Sequence, residues 1–403
     1  VSSKQALARR PGKKIPKAFL VVSSSTNTGR VPRTVAPCSA ISPFFNVPVS
    51  RASGKVFLRD VLRGLINNSD WSKTNLTTDH LKSLNELASI NKRSLPPIRV
   101  EINFQIGAPG CGKSYAFANA LRSFTLNSSD FAIATPRNPL REKWDQDLDL
   151  GALGWRVQTL EKFFCMVPPA HIFLDEFSLF PKGFLSAYLT YHSHVTHVSI
   201  MGDPGQVAFH ALTDALVEHL PGASAFDEVL PRHLPVPYMF YTRRLAIGVA
   251  TSVGIPTSSE QTGSFIKCHI LDPRLPTLFP GTAASSTSSM RAYTYTLAQG
   301  QDFDSDYQLV LTNDCLKMDY RTLWVAMTRG KKNVLVYNQL SLNETNIHLI
   351  KRNPFLRCLI FGTHFEAYDS LRVFLGMHTL VPLPFTPTNP NAITPFSGGR
   401  TTV

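Results

Sequence analysis

Gly107-Ala108-Pro109-Gly110-Cys111-Gly112-Lys113-Ser114 is the stretch on which the fold turns. It fits the G-x-x-x-x-G-K-[ST] pattern of a phosphate-binding loop at every defined position. The glycines let backbone N–H groups close around an anion with no Cβ in the way. Lys113 is placed to reach the β- and γ-phosphates, and the Ser114 hydroxyl suits Mg²⁺. The flanks agree. Upstream, Val100, Ile102, Phe104 and Ile106 alternate with polar or charged residues, which predicts a half-buried strand. Downstream, residues 115–122 read as a helix whose N-terminus points free N–H groups at the nucleotide. Strand, loop and helix in that order predict a nucleoside triphosphate site. Cys111, inside the loop, reads as a small filler.

Working outward, residues 98–230 repeat strand and helix, the pattern of a parallel sheet with crossover helices. Phe131 to Thr135, His171 to Leu174 and Val195 to Met201 are short apolar runs bounded by turn residues. The second of these ends in Asp175-Glu176. A carboxylate at a strand's carboxyl end faces the crevice where a triphosphate lies. Asp175 is therefore the candidate for the Mg²⁺ shell and Glu176 the candidate base for an attacking water. The third run ends in Gly202-Asp203-Pro204-Gly205-Gln206, and Gln206 is placed to sense the γ-phosphate or the water. After the first run, Thr135, Arg137 and Arg141 are candidate RNA-backbone contacts. Trp144 reads either as a stacking face or as a buried anchor.

Pro231 to Pro237 reads as a connector, and residues 231–345 form a second α/β region. It carries Arg243-Arg244, Gln299-Gly300 before Asp302-Phe303, and Thr328-Arg329 before the strand at 333–337. Phosphoryl transfer gains from positive charge on the γ-phosphate, so Arg244 and Arg329 are candidate clamps supplied across a cleft by the second region. Residues 51–97 carry apolar residues at helical spacing and read as a small helical accessory region. Residues 1–50 lack periodicity and read as a largely disordered basic arm. Residues 346–403 end in a Pro/Ser/Thr-rich linker.

The whole chain of 403 residues carries a net charge of +13 with 17% charged and 43% apolar residues, so most of it is globular. The basic residues cluster: every one from Lys4 to Arg59 precedes the first acidic residue, Asp60. Such an arm attracts RNA or an anionic membrane surface, unless it is a solvated linker. Six cysteines without C-x-x-C pairing read as free thiols in a reducing compartment. No apolar stretch approaches the ~20 residues that span a bilayer. A chain beginning at Val1 rather than Met reads as a segment of a longer polypeptide.

Taken in order, these residues resemble the superfamily 1 helicases of alphavirus-like positive-strand RNA viruses, with the nearest likeness to the tymovirus-like replicase helicases. The likeness rests on Gly107 to Ser114, Thr135-Pro136, Leu140-Arg141, Trp144, Trp155-Arg156, Thr159, Asp175-Glu176, Gly202 to Pro204, Gln206, Arg244, Gln299-Gly300, Phe303, Val325-Ala326 and Thr328-Arg329. Two departures stand out. Arg243 replaces the usual Tyr or His before the second-region arginine, and Asp302 stands where a Thr is common. The resemblance implies two RecA-like P-loop domains with ATP, or another NTP, and Mg²⁺ at their interface. There Lys113, Glu176, Gln206, Arg244 and Arg329 would act catalytically. Gly107 to Ser114 with Gln299 and Gly300 would hold the nucleotide. It further implies an NTP-dependent helicase on single-stranded and duplex RNA, with RNA 5′-triphosphatase activity at the same site. It implies polymerase and methyltransferase partners, and a place in the host cytoplasm at membrane-associated replication complexes reached indirectly. A movement protein of the triple-gene-block type shares this core and is the alternative. A nucleotide switch without motor activity is a second.

Overall fold

The computed structural model describes residues 44–51, 97–115, 118, 131–148, 156–207, 224–231, 234–281, 291–374 and 378–383. All of them fall in one unit, Pro37–Val403. The chain's strands are β1 Phe44–Val49, β2 Ile98–Gly107, β3 Ala132–Thr135, β4 Val157–Thr159, β5 His171–Leu174, β6 His197–Gly202, β7 Val236–Met239, β8 Phe265–Cys268, β9 Thr277–Phe279, β10 Ala292–Thr294, β11 Tyr307–Leu311, β12 Val334–Asn338 and β13 Leu380–Pro382. The first sheet has eight strands in the order β13-β7-β2-β6-β5-β3-β4, with β1 added antiparallel to the start of β2. Its other pairings are parallel. The second sheet has five parallel strands in the order β10-β9-β11-β12-β8.

β2 is the axis of the first sheet, and it differs from the half-buried strand its alternation predicts. Asn103 and Gln105, on the nominally polar face, are buried with the apolar set. The cause is placement: β6 pairs along one edge while β1 and then β7 pair along the other, so the strand lies inside the sheet.

Side-chain N-caps begin three of the helices. α1 (Asn138–Leu148) follows β3 and turns Leu140, Trp144 and Leu148 inward at i, i+4, i+8. α2 (Leu160–Cys165) and α3 (Phe184–Tyr191) pack on the first sheet, α3 through an aromatic stack that includes Phe163, Phe184 and Tyr188. α4 (Phe226–Val229) and α5 (Ile247–Ser252) flank β7 in sequence. α6 (Tyr320–Met327) starts at Asp319, whose side chain accepts from the Arg321 N–H, and buries six consecutive residues from Thr322 to Met327. α7 (Glu344–Arg352) is capped by Asn343 and ends in Lys351 and Arg352, which suits the helix dipole. α8 (Pro354–Phe361) has Asn353 accepting from Phe355 and Leu356, Pro354 in its first turn, and Gly362 at φ 69° to end it. α9 (Ala367–Phe374) leads back to β13.

Three boundaries read from the sequence need correction. Phe44–Val49, assigned to a disordered arm, is a strand whose alternate residues Val47 and Val49 enter the core. β7 starts within the expected connector and runs past it, yet it pairs with β2 and so belongs to the first sheet. Leu380–Pro382, assigned to a linker, pairs with β7. Each is a short strand recruited by a sheet edge, where main-chain pairing outweighs a weak local pattern. The helical accessory region lies outside the described residues except at Arg51 and Pro97, as do the arm before Phe44 and the end of the tail.

Candidate nucleotide site

The phosphate loop leaves β2 at its carboxyl end. Gly110 and Gly112 take φ values of 75° and 95°, the left-handed region where a side chain is strained. A Cβ on Gly110 would also come within 2.6 Å of the Arg244 Cβ. The helix begins at Lys113, and residues 113–115 and 118 are helical. The Lys113 ammonium donates to the carbonyls of Gly107 at 2.8 Å and Ala108 at 3.3 Å, folding back over its own loop. Burial alone would lower its pKa, but Cys111, Glu176 and Asp203 outweigh that and raise it. Cys111 is the buried filler expected, and burial pushes its thiol up. Gly107, Ala108 and Cys111 belong to the loop but do not line the cavity.

That wall encloses about 410 Å³ and is lined by Pro109, Gly110, Gly112, Lys113 and Ser114 of the loop, by Asp175, Glu176 and Gln206 of the first sheet, and by Gly300, Asp302 and Arg329 of the second. The volume is in the range of small-molecule sites. Arg243 and Arg244 line it as well.

The acidic pair is held in a strained and specific way. Trp144 is buried, and its indole N–H donates to Asp175 Oδ2 at 2.5 Å; the Glu176 N–H donates to Oδ1 at 3.0 Å. Trp144 is thus the anchor and not a stacking face. Burial, then the charge of Glu176, raises the Asp175 carboxyl to about 6. Glu176 sits at φ 50°, the sole positive φ outside glycine among the described residues. Its Oε2 is buried with no hydrogen-bond partner, and so is Oε1 of Gln206. Strain and unsatisfied acceptors together mark a working site, since neither survives without compensation.

Beneath these lies Asp203, which carries the family likeness but to which the sequence alone assigns no role. It is fully buried and accepts from Tyr238 O–H at 2.8 Å, Gly205 N–H at 2.9 Å and Trp324 Nε1–H at 3.3 Å. Gln206 Nε2 reaches it at 3.4 Å. The carboxyl at the turn was visible in the sequence; its partners from β7 and α6 were not.

The two arginines reach the cavity from different directions. Arg329 follows α6 in the second sheet's half; it is buried and tied to its own helix through the Val325 carbonyl at 2.9 Å and Thr328 at 3.3 Å. Arg244 does not come from that half, as the sequence reading expected. The Arg243 N–H donates to the Gly110 carbonyl at 2.8 Å and the Ala108 N–H to the Met239 carbonyl at 2.9 Å, so the segment after β7 is bonded to the phosphate loop itself. Arg244 pairs with Asp302 across the cavity. Burial, then the charge of Arg329, pushes its guanidinium down to about 9, which leaves it charged at neutral pH.

Other candidates move. Gln299 is buried away from the cavity and donates to the Ser178 hydroxyl at 3.0 Å, bridging the two sheets' halves. Gly300 does line the wall, at φ 85° against Leu140. Thr135 is fully buried and its hydroxyl donates to the Arg137 carbonyl at 3.3 Å, so it offers no surface to RNA. Arg137 is drawn toward the site: burial lowers its pKa and Glu176 works against that. Arg141 is half-buried on α1.

Residues 106–338, more than half of the chain, match the family described as the viral superfamily 1 RNA helicase core domain. The chain is 26% identical over 299 residues to the non-structural replication polyprotein of Grapevine fleck virus, covering 72% of this chain and 15% of that protein. It is 26% identical over 248 residues to the non-structural replication polyprotein of Ononis yellow mosaic virus, covering 59% and 13%. With the RNA replication protein of Potato virus X it shares 24% over 262 residues, covering 63% and 17%. The chain thus spans less than a fifth of each of these relatives. Among solved structures, the helicase titled Arterivirus nonstructural protein 10 is similar at a TM-score of 0.46 and 13% identity over 61% of each chain. With replication proteins as its relatives, the movement-protein alternative is not favoured.

Proposed function

We propose, from the premise that the chain belongs to the viral superfamily 1 RNA helicases, that the cavity between its two sheets hydrolyses the NTP that drives movement along RNA. What carries the reading is the convergence of Lys113, Arg244 and Arg329 with Glu176 and Gln206 on one cavity wall.

Each role follows from placement. The loop's N–H groups and Lys113 take the phosphates. Glu176, with one buried carboxylate oxygen lacking any hydrogen bond, accepts the proton of an attacking water. Gln206 offers that water a free carbonyl oxygen while Asp203 holds its amide end. Arg244 and Arg329 meet negative charge as it develops on the γ-phosphate. No cluster of three metal-ligating side chains occurs among the described residues. Ser114 and Asp175 both line the cavity, and one hydroxyl with one carboxylate fits Mg²⁺, which takes few protein ligands beside phosphate oxygens and water. Bound there, the ion would neutralise phosphate charge. Trp144 and the Glu176 N–H fix the Asp175 carboxylate for that contact.

RNA is the polymer this reading requires, and a replicase polyprotein with polymerase and methyltransferase regions is the proposed setting, at membrane-associated complexes of the host cytoplasm. No described helix is long and apolar enough to cross a membrane. The test is phosphate release with and without single-stranded RNA, beside strand separation on a tailed duplex. Stimulation by RNA and NTP-dependent separation are expected; turnover indifferent to RNA, with no separation, would return the nucleotide switch.

A further inference from the structure

Arg244 stands in an unusual electrostatic position. Its Nε is buried with no hydrogen-bond partner, its neighbour Arg329 carries the same charge, and its terminal nitrogen pairs with Asp302. Three other cations at the cavity are held within their own segments. Lys113 donates to its loop, Arg329 to α6, and Lys331 pairs with Asp304 at 2.6 Å. The Arg244–Asp302 pair instead joins a residue anchored on the phosphate loop to one in the second sheet's half.

Asp302 is not free to follow Arg244. The Phe303 N–H donates to the Arg329 carbonyl at 3.0 Å and the Lys331 N–H to the Phe303 carbonyl at 3.0 Å, so Asp302 and Arg329 ride on one hydrogen-bonded segment. Gly300, at φ 85°, sets the turn that brings Asp302 to the wall. A guanidinium facing another guanidinium and an ammonium in a buried site needs an anion. Glu176 favours its charged form from nearby, while Asp302 pairs with it directly and is still 40% exposed, so water and incoming anions reach it.

We infer that Asp302 is a positioning residue that holds Arg244 across the cavity until the phosphates of a bound nucleotide displace it, carboxylate and terminal phosphate competing for one guanidinium. The inference rests on reading the cavity as the hydrolysis site. It makes nucleotide entry the event that breaks a bond between the two sheets' halves, freeing the Asp302–Arg329 segment as Arg244 turns to the phosphate.

Competition has a signature that a structural role lacks. Asp302→Asn keeps the shape and removes the charge. Titrated with a non-hydrolysable ATP analogue, this variant is expected to bind ~3–10-fold more tightly than the unaltered chain, with a matching fall in KM. AMP, which lacks the distal phosphates, is expected to bind both equally, and Asp302→Glu to behave like the unaltered chain. Unchanged or weaker analogue binding by Asp302→Asn, or equal tightening for AMP, would overturn the inference. Lys113→Ala in the same titration separates the two readings: undiminished analogue binding there removes the cavity assignment itself. A crystal structure of the unaltered chain with the analogue gives an answer that needs no variant. Arg244 should have left Asp302 for the phosphate, and an intact pair beside a bound triphosphate sinks the idea.

Discussion

The two sheets contribute unequally to one cavity. The first supplies the phosphate loop, both carboxylates of the acidic pair, Gln206 and, through the segment after β7, Arg244. The second supplies Gly300, Asp302, Arg329 and Lys331. One half therefore holds everything needed to bind a triphosphate and activate water. The other holds a cation for the transition state and an anion for the resting state. Binding and chemistry are local to the first half, whereas rate depends on where the second half stands. That division is what a motor needs, because the position of one half then reports on the state of the nucleotide.

The sharpest way to break this division is to remove its first member. Lys113→Ala is expected to abolish hydrolysis while the melting temperature holds, since the ammonium contacts only its own loop; normal turnover would refute the assignment. Next comes Arg329→Ala, expected to lower kcat by ~10³-fold, the range of a trans-acting arginine, with little change in KM. If KM rises instead and kcat holds, the second half serves binding and the division is wrong. Glu176→Gln is expected to cost ~10²–10³-fold in kcat, the scale of general-base loss. That variant should retain nucleotide and bind RNA.

Much of the first half was legible. The loop from Gly107 to Ser114 announces itself because phosphate binding restricts residue type at each position. Asp175-Glu176 and Gln206 followed because a strand's carboxyl end fixes where its next residues point. The second half was harder. Arg329 stands out in the sequence, but a linear reading puts Arg244 on the wrong side, because the prolines near 231–237 look like a connector and β7 is only four residues long. Thr135 read as an RNA contact because its motif position is known while its burial is not. Asp203 carries the likeness but gains no role from the sequence, since a buried carboxyl is defined by partners from Tyr238 and Trp324, far away in sequence. β1 shows only Val47 and Val49 alternating around Pro48, in an arm without other periodicity, and β13 has three residues.

A smaller effect separates the sheets by pH. At the start of β5, His171 stacks on Phe173 and bonds Ser199 at 3.0 Å. Burial, then the nearby His197, lowers its pKa from 6.5 to about 3. An unfolded chain takes up this proton near 6.5, the folded one not until about 3, so between these values the unfolded state holds more protons. Stability therefore falls as pH falls from 6.5 toward 3. At pH 5 the loss is on the order of 2 kcal/mol. His171→Phe should flatten the dependence in urea melts at pH 7 and pH 5, and an unaltered slope would place the titrating group elsewhere.

The least of these effects probes the seam itself. Trp324, fully buried on α6, donates to Asp203 at 3.3 Å and packs edge-on against Phe355. Trp324→Phe keeps an aromatic ring and loses the donor, while Asp203 retains Tyr238 and Gly205. The cost to stability should be about 1 kcal/mol, read from the urea midpoint. Because Asp203 also holds Gln206, the link from α6 to the sensor runs through this bond. Stimulation of hydrolysis by RNA should drop in the variant while its RNA-free rate and KM stay near the original. If stimulation survives intact, the halves communicate by another route, and Gln299 on Ser178 becomes the contact to cut.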